Sequence, residues 1–223
     1  CFQSALQVFS YEHFPFEWAK TQNMLGLTYL DLPEGDLQYN LRQAITYFEA
    51  ALRVYTREAF SLGWAALQNN MGNAYCNLTS DDPAQNLLKA IDCYEATLQV
   101  YNRKAFPFDW ARTQNSLGGT YTALMTLEHP NNQLYVTKAI SCYRAALLVY
   151  NCENTPQEWA MIQNNLGNAY TSLLEGDRQE HLERAISCYE AALSAFLSLH
   201  MEEQAQNTRK NLAKTQADIQ VPG

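Results

Sequence analysis

Basic residues, helix breakers and long apolar runs are all scarce in this 223-residue chain. Fifteen Lys and Arg stand against 23 Asp and Glu, a net charge of −8. No basic footprint exists for a phosphate backbone or an anionic lipid surface, so neither nucleic acid nor membrane is an expected partner. With 9 Gly and 7 Pro, turn residues are too few for a loop-rich β fold. No apolar run approaches the roughly 18–20 residues that cross a bilayer. No basic stretch followed by an apolar one opens the chain. The six cysteines (Cys1, Cys76, Cys93, Cys142, Cys152, Cys188) form no C-x-x-C pair and no zinc spacing, and reduced thiols in a cytoplasmic setting are expected. Nucleophile-elbow, dinucleotide and P-loop motifs are missing too. His13, His129, His181 and His200 neither repeat nor stand at ligand spacing. No enzyme activity, metal or cofactor is therefore expected.

What the chain has is repetition. Trp18, Trp64, Trp110 and Trp159 each open one phrase: WAKTQNMLGLTY, WAALQNNMGNAY, WARTQNSLGGTY, WAMIQNNLGNAY. A second phrase follows each, beginning at Ala44, Ala90, Ala139 and Ala185. Trp18, Gln22, Leu25 and Tyr29 recur at helical spacing, as do Ala44, Phe48, Ala51, Leu52 and Tyr55. Each copy therefore reads as two helices, with no strand signal anywhere. Thr155-Pro156-Gln157-Glu158 reads as a capping box. Gly35-Asp36 and Gly176-Asp177 read as a helix stop followed by an N-cap. Gly26, Gly72, Gly118 and Gly167 hold one mid-helix register, where glycine costs about 1 kcal/mol against alanine. A close helix crossing onto Ala44, Ala90, Ala139 and Ala185 is the expected reason. No copy can bury its apolar face alone, so the copies should stack.

Leu-Gly-x-x-Tyr on the first helix, then Ala, aromatic and Ala on the second, resembles the tetratricopeptide (TPR) family across essentially the whole chain. The resemblance implies an all-α, right-handed solenoid of antiparallel helix pairs, with first helices inside. Its expected divisions are a truncated second helix over 1–12, repeats over 13–58, 59–104, 105–153 and 154–199, and a polar capping helix over 200–223. The period of 46 residues, with 49 in one unit, exceeds the family's 34. Gln22, Gln68, Gln114 and Gln163 stand where the family has tryptophan. The long form is similar to repeat arrays of multidomain bacterial signalling proteins, some joined to caspase-like CHAT protease domains. Residue 1 falls inside a second-helix phrase, so a larger intracellular protein is expected around this chain.

Asn23, Asn69, Asn115 and Asn164 share a register two residues before the Leu/Met-Gly pair, and Asn73 and Asn168 lie one turn on from Asn69 and Asn164. Asn is a mediocre helix former, so its recurrence needs a cause. The resemblance implies that these places, with Arg112, line a concave groove where amides hold an extended peptide backbone. The competing expectation is that the amides tie helices together or face water. The family's two-carboxylate clamp is matched at Asn70 and Arg112 but not at Asn23, Leu27 or Ser116, so a chaperone C-terminus is not the expected ligand. A protein or peptide partner is expected. An arm packing on a fused effector domain of the same chain, or a small-molecule sensor, are the alternatives.

Overall fold

The computed structural model describes residues 2–80, 82–127 and 132–220. Cys1 and His129 lie outside them, as do parts of the expected 1–12, 59–104, 105–153 and 200–223 segments. All regular structure among the described residues is helical. The chain divides into two compact units, Cys1–Asn102 and Arg103–Gly223.

The first unit holds α1 (Phe2–Ala5), α2 (Pro15–Leu30), α3 (Leu37–Leu52), α4 (Ser61–Asn77) and α5 (Pro83–Leu98). α2 packs on α3, α3 on α4 and α4 on α5. The helix starts follow local chemistry. Asp36 accepts from the backbone N–H of Gln38 and Tyr39, and Asp82 from that of Gln85, which satisfies donors the first turn leaves open. Pro15 and Pro83 occupy first-turn positions, where no N–H is needed. α1 is a single turn, and it stops one residue short of the register where α5 ends.

The second unit holds α6 (Pro107–Thr126), α7 (Asn132–Ala146), α8 (Pro156–Ser172), α9 (Arg178–Ser198) and α10 (Glu202–Gln220). α6 packs on α7, α7 on α8, α8 on α9 and α9 on α10. Asp177 caps α9 through the N–H groups of Gln179 and Glu180. His200, with φ 56°, ends α9 in a left-handed turn. The Met201 N–H reaches back to the Phe196 carbonyl at 2.9 Å, closing the helix in the Schellman manner.

Two local expectations are corrected and a third is sharpened. The Thr155 hydroxyl makes no cap hydrogen bond. It donates to the Asn151 carbonyl at 3.1 Å and accepts from the Asn151 N–H at 2.9 Å, so it ties the loop and the capping box does not form. Gly35 and Gly176 (φ 95° and 93°) do not stop helices. α2 and α8 end at Leu30 and Ser172, and these glycines turn the chain just before the next cap. The mid-helix glycines answer to rings. A Cβ on Gly26 would lie 2.5 Å from Phe48, and on Gly72, Gly118 and Gly167 it would lie 2.7, 2.8 and 2.6 Å from Tyr94, Tyr143 and Tyr189. Each glycine is a socket for a second-helix ring that is 0–1% exposed. Ala44, Ala90, Ala139 and Ala185 are also fully buried, while the three atoms nearest a Cβ on each of these glycines belong to the ring.

Candidate functional site: the amides of the first helices

The first helices of each unit touch, α2 with α4 and α6 with α8. Among the described residues, no Cα atoms of α3 and α5, or of α7 and α9, come within 8 Å. The first helices thus form the tighter side of each unit. The candidate amides sit on them in two rows, one turn apart.

The row that follows the glycines is engaged internally. The Tyr94 hydroxyl donates to Asn73 Oδ1 at 2.7 Å, and the Tyr189 hydroxyl donates to Asn168 Oδ1 at 2.8 Å. Asn168 Oδ1 also accepts from Asn211 of α10 at 3.1 Å. The two remaining helix pairs vary in step. Gly119 stands at this register in α6, and the Tyr143 hydroxyl lies 3.2 Å from Thr122 Oγ1 instead. In α2 the residue is Leu27, and its ring partner Phe48 has no hydroxyl. A buried hydroxyl without a partner costs about 1–3 kcal/mol, so tyrosine and acceptor come together or not at all.

The row that precedes the glycines is divided. Asn164 Oδ1 accepts from Thr208 of α10 at 3.0 Å. Asn69 is buried. Asn23 and Asn115 are half-buried, and the Oδ1 of each is buried with no hydrogen-bond partner. The residue at the Thr208 register is Leu67 in α4 and Ile162 in α8, neither of which can donate. Arg112 does not join the rows. It is exposed and pairs with Asp109 one turn earlier at 2.8 Å, an ion pair of small energetic weight.

Some recurring contacts escaped sequence reasoning. Lys89, Lys138 and Arg184 each precede the repeat alanine and lie 5.4, 5.1 and 5.8 Å from the ring centroids of Tyr75, Tyr121 and Tyr170. Gln43 holds that place in α3, and Tyr29 stacks on Tyr47 at 5.4 Å. The recurring charge before alanine was the available signal. Gln38 accepts from the N–H groups of Thr79 and Ser80, and Gln133 accepts from that of Leu174. α3 and α7 thereby each grip the loop of the following pair, a role that a lone Gln gives no sign of.

Burial pushes the Cys93 thiol up to about 12 and the Cys188 thiol up to about 11. Cys93 and Cys142 are buried and Cys152 is exposed, and Cys93, Cys152 and Cys188 are free thiols. His181 is buried in the first turn of α9, at the register of Asn40 and Asn86. Those amides donate to loop carbonyls, whereas its Nδ1 has no partner. No group of three or more His, Cys, Asp or Glu among the described residues is placed to hold a metal ion, and no described helix is long and apolar enough to cross a membrane. No known family model matches the chain, and no curated protein matches it.

Proposed function

We propose that the chain is a TPR-type, right-handed α-solenoid that binds an extended polypeptide segment along its first helices, as a module of a larger intracellular protein. The observation that carries this is the pair Asn23 and Asn115. They share one register on the tighter face of their units, and each holds a carbonyl oxygen that no group among the described residues satisfies. An unsatisfied buried acceptor is costly, so a ligand or ligand-bound water that supplies a donor there gains more than it would at a satisfied amide. An amide also accepts and donates without imposing charge, which suits a peptide backbone of any sequence. Asn73, Asn164 and Asn168 already serve the fold, and their share in binding is smaller.

The test begins with peptides of about twelve residues selected from a display library against the intact chain. Their affinity is then measured for wild type and for the Asn23→Ala, Asn115→Ala double variant. Each lost neutral hydrogen bond costs about 0.5–1.5 kcal/mol, so affinity should fall roughly five- to 150-fold if the effects add. The variant should melt no lower than wild type, because neither oxygen supports the fold and Ala is the better helix former. Selected peptides that bind the double variant as tightly would remove the groove reading.

A further inference from the structure

Each repeat tryptophan is flanked in the sequence by two places that decide what covers its ring. One lies seven residues before it: Tyr11, Arg57, Arg103 and Cys152. The other lies nine residues after the repeat alanine: Arg53, Gln99, Leu148 and Ser194. In the first unit these places deliver a guanidinium to the ring twice. Arg53 lies 4.1 Å from the centroid of Tyr11 and 5.5 Å from that of Trp18, and the two rings meet edge to face at 5.2 Å. Arg57 lies 6.0 Å from the centroid of Trp64 and donates to Gln99. Both fall within the range of cation–π attraction.

At Trp159 both places hold small residues, Cys152 and Ser194, and neither can supply a cation. A cavity of about 460 Å³ opens there, lined by Cys152, Pro156, Trp159, Ala195, Ser198 and Leu199 among others. Glu153 and Glu158, both exposed, neighbour Cys152 and Trp159 in the chain and favour a positive occupant.

We infer that this cavity is a cation–π site that accepts an arginine side chain from a partner polypeptide, in the place that Arg53 and Arg57 fill within the chain itself. The guanidinium lies against Trp159, and its aliphatic stem packs on the alanine and leucine wall. No charged residue lines the cavity, so the α-carboxylate and α-ammonium of free arginine find no partner. A residue within a peptide carries neither charge. The site shares no residue with the amide rows and stands apart from the groove reading.

The intact chain, with its tryptophan indoles labelled with ¹⁵N, is titrated with the blocked pentapeptide Ala-Ala-Arg-Ala-Ala. The same peptide carrying citrulline, and free arginine, are titrated in parallel. The Trp159 indole signal is identified from a Trp159→Phe variant. The arginine peptide should shift that signal saturably and bind about two- to fivefold tighter than the citrulline peptide, the ratio given by roughly 0.5–1 kcal/mol of cation–π attraction. Cys152→Arg, which restores the pairing seen at Trp64, should abolish the response while the variant melts no lower than wild type. Equal binding of the citrulline peptide, an unmoved indole signal, or an undiminished response in a folded Cys152→Arg chain would each overturn the site. Free arginine binding as tightly as the peptide would overturn the polypeptide partner.

Discussion

At the scale of single residues, hydrogen-bond partners and apolar partners substitute for one another in pairs. Asn73 with Tyr94 and Leu27 with Phe48 fill one geometric slot in different chemistries. Asn73→Leu alone should cost about 1–3 kcal/mol, because the Tyr94 hydroxyl loses its acceptor. Tyr94→Phe added to it should recover most of that loss, since the pair then matches the first helix pair. Urea unfolding of the two single variants and the double variant closes this cycle, and additive losses would refute the pairing. The glycine sockets allow no such exchange. Gly118→Leu should destabilise by roughly 1–3 kcal/mol against the Tyr143 ring, and an unchanged unfolding midpoint would show that the ring moves aside freely. The glycine register was plain in the sequence. That the nearest neighbour at each is a ring was not, because periodicity gives the face of a helix but not the depth to which a neighbour reaches.

Whole elements were legible where their signals are local. The aspartate caps and first-turn prolines mark starts that the structure keeps, because each acts within one turn of itself. The Thr155 capping box failed because Asn151, four residues upstream, offers the hydroxyl both a donor and an acceptor. The end of α9 carries strain that the sequence hides. A left-handed conformation costs a non-glycine residue roughly 1–2 kcal/mol. His200→Gly should therefore gain about 0.5–1 kcal/mol after the extra flexibility of glycine is counted, seen as a raised melting temperature. A lowered one would mean that the imidazole does more than occupy the turn. α10 covers Ala160, Ala192 and Phe196 with Ala205. Removing residues 200–223 should bare this cluster and drive self-association, measured by light scattering. A monomeric truncated chain of equal stability would show that α10 is dispensable.

Across the whole molecule, buried thiols couple folding to alkaline pH. Cys93 and Cys188 are held above the ordinary value of 9.0, at about 12 and about 11. Between pH 9 and those values the unfolded chain loses protons that the folded chain keeps, so stability present below pH 9 declines as pH rises. The melting temperature should fall from pH 9 to 11, and Cys93→Ala should lessen the fall; an identical slope would place its cause in other groups. Alkylation at pH 8 should modify Cys152 early and Cys93 and Cys142 only after denaturant is added. By itself the sequence determined that the molecule is helical, where most helices begin, and which positions recur, because periodicity and capping act over one or two turns. Only the tertiary structure decided which recurring amides are free. Asn73 meets Tyr94 across 21 residues and Asn164 meets Thr208 across 44. A hydrogen bond forms only at about 3 Å, a distance that register alone does not fix. Asn23 and Asn115 bear the same letter at the same register as Asn164. What separates them is the donor that the neighbouring helix brings within reach.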